Sequence, residues 1–522
     1  MLAIAVLVSL LLAIVFYCGL RWQALPLEKL NAPQAFRFFD RNDQLMHVII
    51  SDDGYYRLSV DLDELPPLLI DTLLLQEDQY FYQHPGVNPL AILRAAAGNV
   101  TSGRVVSGAS TITMQLARML QRQPRTVTAK LIEMFRALQL EQRYSKREIL
   151  QSYLSIAPYG GNLEGLNGAT YAYFGKPAKQ LSPAQIALLV VIPKSPNTLR
   201  PDRHPLRAKL KRDNLLHRMT EAGLIDEATL SHALDEPVPQ QRLVFPNKIP
   251  HLAWYLKSRY PNQNDFYTTV DNNIQVRSER IVAQYVQSLN GQGIHNASVV
   301  VLDTQTRELR AMIGSADYFD KASEGANNGA TALRSPGSTL KPFLYGLAMD
   351  AGLIAEKTML PDIPLSVAGY SPLNYSKTFR GQVTVREALV DSLNVVAVRL
   401  SQQLGIERLY NLLQLGGITS LEQPPEYYGL PLVLGGVELS LLELTTLYTA
   451  LANYGEYRPY QLLQNDDSLP SPISLLSPEA SWLVSDMITD VERPDFPSTW
   501  QYSTSRPTVA WKTGTSYGHQ DA

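Results

Sequence analysis

The sequence predicts an α+β chain of more than one domain, and three observations predict it. With 522 residues, 45% hydrophobic and 18% charged, the chain can bury two cores. From Asp71 onward apolar side chains recur at helical period, whereas Ala297–Ile313 alternates and turns as a β-hairpin does. Between these stretches the prolines cluster, at Pro237, Pro239, Pro246, Pro250 and Pro261, and helical period fades. The expected organisation is an apolar segment at 1–22, a short region at 23–65, a mostly α domain at 66–215, a linker at 216–265 and an α/β domain at 266–522. A net charge of −3 gives no whole-chain reason to expect nucleic acid as a partner.

Leu2 to Leu20 carries no charge and is almost wholly apolar, long enough to cross a membrane as one helix. A cleaved signal peptide would have a shorter apolar core and small residues before its cleavage site, but Phe16-Tyr17-Cys18 is bulky there. No Lys or Arg precedes the segment and Arg21 follows it. By the positive-inside rule that charge sits on the wrong side for an exported enzyme, so a basic flank is expected upstream. Cys18 is the single cysteine, and no disulfide can form within the chain.

Met46–Ile50 followed by Asp52–Tyr56 predicts a small strand and turn. Arg125–Gln142 predicts a helix, with Leu131, Met134, Phe135, Leu138 and Leu140 close to helical period, and it places Lys130 and Glu133 on one face. Ser182-Pro183 predicts a helix start and Pro193 its stop. A second such start, Ser440, opens a core helix over Leu441–Tyr454 that Gly455 ends.

The chemistry gathers in Glu77–Gly160. Two carboxylates, Glu77 and Glu133, are separated by hydroxyls, an amide and the cations Arg118, Lys130, Arg136, Arg143 and Lys146. A glycosidic bond is remade through an oxocarbenium-like transition state in which one carboxylate handles a proton and another stabilises charge or a leaving group. Fixed cations suit a phosphate leaving group. Either glutamate alone would read as a solvated helix-face residue.

Four ordered blocks change that reading: Glu77–Gly86 (EDQYFYQHPG), Gly108–Arg118 (GASTITMQLAR), Lys130–Glu133 (KLIE) and Arg143–Leu154 (RYSKREILQSYL). Spread over roughly 80 residues, they resemble the signature motifs of the family-51 peptidoglycan glycosyltransferases, the lysozyme-like domain of class A penicillin-binding proteins, a highly specific match. Pro193–Pro196 and the NTLRPDR run that follows resemble the 1C branch of that family. Ser155 departs from the usual asparagine, and Arg118 from the commoner lysine. The resemblance implies that Glu77 is the general base on the acceptor 4-hydroxyl. It implies that Glu133 and the nearby cations assist departure of undecaprenyl pyrophosphate from lipid II, with Asp78, Phe81, His84, Thr111, Gln115, Arg118, Lys130 and Arg143 binding substrate. For His84 a purely structural role is equally open.

The second domain opens with Phe266–Asp271 and a helix to about Leu289, then the hairpin. Arg334–Lys341 follows, where Ser338 and Lys341 stand three residues apart. A serine hydroxyl needs a base within reach, and on a helix i and i+3 share a face, so Lys341 is expected beside Ser338 Oγ. Of three S-x-N runs, only Ser392-Leu393-Asn394 lies between this pair and Lys512-Thr513-Gly514-Thr515, which is expected on a strand-like stretch after Val509–Trp511. The ordered triple resembles the penicillin-recognising serine acyltransferases. That resemblance implies that Ser338 is acylated by a stem peptide ending in D-Ala-D-Ala, with Lys341 as base and Ser392 as proton relay. It implies that Asn394 holds the peptide amide and that Lys512, Thr513, Gly514 and Thr515 hold the carboxylate. The backbone N–H groups of Ser338 and Thr515 would make the oxyanion hole. Relatives continue with two more strands and a helix where this chain stops seven residues past Thr515. An incomplete antiparallel sheet and poor binding of labelled penicillin are therefore expected.

The expected function is a bifunctional peptidoglycan glycosyltransferase and D,D-transpeptidase, single-pass in the bacterial inner membrane with its domains in the periplasm. Lipid II, nascent glycan, stem peptides, β-lactams and other wall-synthesis proteins are its expected partners. No cofactor is required by the sequence and no protein metal site is expected, though Mg or Mn could bridge the pyrophosphate. Two other classes compete. A lysozyme-type muramidase would also use two carboxylates, and a membrane-anchored scaffold would use neither.

Overall fold

The computed structural model describes residues 24–94, 110–121, 124, 126–367, 369–464, 470–490 and 508–516. Leu2–Leu20, Gly108-Ala109 and the last six residues lie outside them. Among the described residues no helix is long and apolar enough to cross a membrane. The chain divides into two compact units, 1–37 with 47–247 and 261–265, and 38–46 with 248–260 and 266–522.

In the first unit, helices dominate. After strand β1 (Leu45–Ile49), whose first two residues belong to the second unit, and the turn that Gly54 closes at positive φ, β2 (Tyr56–Arg57) leads to α1 (Pro67–Glu77). Next come α2 (Ile112–Leu120), α3 (Val127–Arg143) and α4 (Lys146–Ile156). Their starts are written locally: Thr111 and Thr126 accept from the backbone three residues on, and Ser145 forms a reciprocal capping box with Glu148. The short strands β3 (Pro158–Gly160) and β4 (Leu163–Glu164) complete a three-stranded sheet in the order β2-β4-β3. Buried Arg57 on β2 pairs with Glu164 on β4 at 2.7 Å.

Helix α5 (Leu166–Phe174) precedes α6 (Pro183–Val191), which starts as expected with Ser182 as cap and Pro183 at its first position. All of α6 but Pro183 and Gln185 is buried, and around it α1 and α7 (Pro205–Glu221) close the core. The stretch expected to be linker from 216 departs from that expectation. The chain continues α7 through Met219 and adds α8 (Glu227–Asp235), whose Leu230 and Ala233 are buried in the same core. Helical period there is masked by charge, but three or four apolar positions suffice to anchor a short helix. The proline-rich part holds α9 (Pro250–Arg259), which belongs to the second unit.

In the second unit, α10 (Asn272–Leu289) starts at Asp271, and β5 (Val299–Leu302) pairs antiparallel with β6 (Leu309–Ile313) as the hairpin pattern predicts. A core of leucine, valine and aromatic side chains surrounds α11 (Lys341–Asp350), α12 (Val385–Val390), α13 (Asn394–Leu404), α14 (Ile406–Leu415), α15 (Leu441–Ala452) and α16 (Pro478–Met487). A second hairpin, β7 (Met359–Asp362) and β8 (Gly381–Thr384), precedes α12. Ser440 caps α15 as expected, and that helix ends at Ala452, two residues short of the expected Tyr454. Val509–Trp511 is not in a strand: the Trp511 N–H bonds to Ile488 O, and no neighbouring strand offers it a ladder among the described residues.

Candidate active sites

The first site is built around the N-terminal turn of α2. Glu77 ends α1, is half-buried, and its Oε2 accepts from Gln115 Nε2 at 2.8 Å. Among the described residues its Oε1 has only a long contact, 3.4 Å, from Gln76 Nε2, which leaves it a lone pair to take a proton. Behind Gln115 lies the buried Tyr153, whose phenol is held far above its usual range first by burial and then by the Glu77 charge.

Asp78 does something different from its neighbour. One of its oxygens accepts the Ile112 N–H at 3.0 Å, stabilising the start of α2, and both face His84 Nε2 at 3.0 and 3.2 Å. The Gly86 N–H donates to His84 Nδ1 at 3.1 Å, so Nε2 carries the hydrogen and donates to Asp78. Thr111 Oγ1 closes the loop by donating to Gly86 O at 2.6 Å while accepting from Met114 N. Asp78, His84 and Thr111 thus bind one another and the backbone. Phe81, expected at the substrate, is 1% exposed and belongs to the first core.

Glu133 and Lys130 share a face of α3 as the spacing predicts, with Nζ to Oε2 at 2.8 Å. The same Nζ donates to Ser110 Oγ at 2.5 Å, immediately before the Thr111 cap. Both carboxylates therefore lead to one helix: Glu77 through Gln115, and Glu133 through Lys130 and Ser110. Arg118 is half-buried on α2 and close enough to Tyr153 to oppose the rise of its pKa; Arg143 ends α3, exposed. Two of the expected phosphate-facing cations are engaged elsewhere. Lys146 donates to Glu141 Oε1 and His84 O, both at 2.7 Å, and lies 4.4 Å over the Phe81 ring, while Arg136 donates to Ala24 O and Gln139 Oε1. Sequence reasoning missed Ser110, Glu141 and Tyr153. Only their place inside or beside the four blocks could have flagged them.

The second site joins three distant stretches. Ser338 lies in a 3-10 turn over Gly337–Leu340, and Lys341 begins α11, fully buried. Lys341 Nζ contacts Ser392 O at 2.5 Å, Asn394 Oδ1 at 2.7 Å and Ser392 Oγ at 3.2 Å. Among the described residues these are its hydrogen-bond partners, so the expected bond to Ser338 Oγ is not formed in this arrangement. Burial, and then the charge of Lys512, push the Lys341 amine well below its ordinary pKa.

Lys512 Nζ donates to Ser392 Oγ at 2.8 Å and to Thr513 O at 2.7 Å, and burial lowers its pKa to about 8. Thr513 and Thr515 are exposed. Glycine is required at two places here. A Cβ on Gly514 would meet Pro336 O at 2.4 Å, and one on Gly337, whose φ is +54°, would meet Thr515 O at 2.4 Å. The backbone of 512–515 therefore runs directly against the turn that carries Ser338.

Each site lies within a stretch of the chain that matches a known family. Residues 42–220 match the Transglycosylase family, and residues 297–521 match the Penicillin binding protein transpeptidase domain. Penicillin-binding protein 1C of Escherichia coli (strain K12) is 37% identical over 477 residues, covering 90% of this chain and 60% of that relative. Penicillin-binding protein 1B of Vibrio cholerae serotype O1 is 30% identical, covering 95% and 67% respectively. Penicillin-binding protein 1A of Aquifex aeolicus is 27% identical, covering 95% and 81%.

Proposed function

Because this chain belongs to the class A penicillin-binding proteins, which join a transglycosylase to a transpeptidase domain, we propose that it polymerises lipid II into glycan and carries a penicillin-sensitive D,D-transpeptidase. The observation that supports the first activity best is Glu77, half-buried and pinned at one oxygen by Gln115. Its free oxygen takes the proton of the acceptor 4-hydroxyl as that oxygen attacks the anomeric carbon of the donor, inverting it. The C–O bond to the pyrophosphate breaks, and Lys130, held extended between Glu133 and Ser110, receives the developing negative charge with Arg118 and Arg143. A bridging Mg or Mn at the pyrophosphate is part of the proposal only through the substrate. Among the described residues no group of three His, Cys, Asp or Glu side chains converges to hold a metal, and no step above depends on one.

In the second site Ser338 Oγ attacks the penultimate D-Ala carbonyl, forming an acyl-enzyme and expelling the terminal D-Ala, whose amine takes a proton. Lys341, whose amine burial pushes toward the neutral form, accepts the serine proton. Ser392, whose Oγ accepts from both Lys341 and Lys512, passes a proton to the leaving amine and is reprotonated from Lys341. Thr513, Gly514 and Thr515 hold the substrate carboxylate and, with the Ser338 N–H, its oxyanion.

The chain spans 60% of the length of its Escherichia coli relative. Anchoring in the inner membrane through Leu2–Leu20, with both domains in the periplasm and other wall-synthesis proteins as partners, belongs to the same proposal. Incubation of the chain with lipid II tests it: long glycan and free undecaprenyl pyrophosphate are expected, and none with Glu77→Gln. Short fragments released from finished glycan would instead mark a muramidase, and unchanged behaviour of Glu77→Gln a scaffold.

A further inference from the structure

Helix α13 begins at Asn394 without a cap from its own flank, since Leu393 stands at the cap position with no side-chain acceptor. Asn374 supplies one from the loop between β7 and β8. Its Oδ1 accepts from the Asn394 N–H at 2.9 Å and the Val395 N–H at 3.2 Å, the service an ordinary N-cap side chain performs. Its Nδ2 donates to both oxygens of Asp362, at 2.8 and 3.1 Å, and to Thr378 O at 3.0 Å. Asp362 also accepts the Arg380 N–H at 2.9 Å.

Both side chains are sealed from solvent, Asp362 fully and Asn374 at 3% exposure. The carboxylate needs donors and the two helix amides need an acceptor, so the Asn374 amide has one satisfactory orientation. What it holds is a residue of the site itself: Asn394 Oδ1 accepts from Lys341 Nζ, and Asn394 Nδ2 donates to Leu373 O at 2.9 Å. We propose that Asp362 and Asn374 are positioning residues of the second site, fixing the first turn of α13 so that Asn394 and Ser392 meet Lys341. Neither touches the reacting atoms. The inference rests on the transpeptidase reading for its consequence and on geometry alone for the cap.

Hydrogen exchange of the full chain, read at the amides of 392–398, separates the two. Asn374→Ala should speed exchange at Asn394 and Val395 about tenfold or more, the factor set by losing one hydrogen bond. Asn374→Asp should do the same by setting a second carboxylate against Asp362. The swap Asp362→Asn with Asn374→Asp rebuilds a carboxylate–amide pair in reverse, and should return exchange toward the unmodified rate. Labelling of Ser338 by a fluorescent penicillin should fall about tenfold to hundredfold in the single variants and recover in the swap.

A purely structural role would lower the melting temperature of the singles and the swap alike, without that recovery. Should Asn374→Ala fail to fold, Asn374→Asp against the swap makes the same comparison. Unchanged exchange at Asn394 and Val395 in the single variants, or a swap no better than Asn374→Asp, overturns the proposal. A chain that takes up no penicillin before any substitution overturns the transpeptidase reading instead, and exchange still decides the cap.

Discussion

The two sites solve opposite electrostatic problems. In the first, the carboxylates around Glu77 are paired: Asp78 has the Ile112 N–H and the His84 ring, Glu133 has Lys130, and Glu141 has Lys146. Glu77 is the exception, held by a neutral amide. In the second, two lysines approach one serine hydroxyl with no carboxylate among their bonds, and burial pushes both toward the neutral form. A group meant to remove a proton is left in both cases without a counter-charge. In one site the isolation comes from pairing off the neighbours, and in the other from excluding water.

Breaking that comparison outright takes one substitution on each side. Glu77→Gln is expected to cut polymerisation from lipid II by about a thousandfold or more, within the span of general-base catalysis, and to leave penicillin labelling as it was. Ser338→Ala should do the reverse, abolishing whatever labelling the chain shows; loss of both activities in either variant would mean the sites are not independent. Gly514→Ala comes next. Its new methyl must displace Pro336 O or the 512–515 backbone, and a misplacement near 1 Å should lower labelling about a hundredfold, read against unchanged polymerisation.

Sharpening it takes smaller changes. Gln115→Leu removes the one short bond to Glu77 and should slow polymerisation about tenfold or more, measured at saturating lipid II so that kcat is read apart from KM. For the second site, burial lowers the Lys512 pKa to about 8 in the folded chain, against the ordinary lysine value of 10.5 when unfolded. Between those values the unfolded chain binds the extra proton, so stability rises with pH across that window and has lost this gain below about pH 8. Lys512→Met should flatten that rise in a melting-temperature series from pH 8 to 10.5. Smallest of all, Ser145→Ala opens the capping box of α4 and should cost about 1 kcal/mol in denaturant unfolding of the first unit.

Legibility differed between the sites for a physical reason. Residues 77–133 lie close in sequence, and helix spacing alone puts Lys130 beside Glu133; caps such as Thr111, Ser182 and Ser440 announce where helices start. What spacing misjudged was occupancy. Lys146 and Arg136 looked like free cations; Gln139, three residues on along α3, is the one partner spacing offers, while Glu141, His84 O and Ala24 O come from other elements that no local pattern names. Likewise i and i+3 placed Lys341 near Ser338, while the contacts that hold its amine come from residues about fifty positions later in the chain.

By itself the sequence determined which side chains carry the chemistry, where the helices begin, and that two cores exist, because caps, periodicity and motif order are properties of neighbours along the chain. Tertiary structure alone decided which charges pair between elements, how deeply Lys341 and Lys512 are buried, and that Asn374 caps α13. Desolvation and hydrogen-bond partnership depend on what folding brings close across the chain, and no spacing within a motif encodes that.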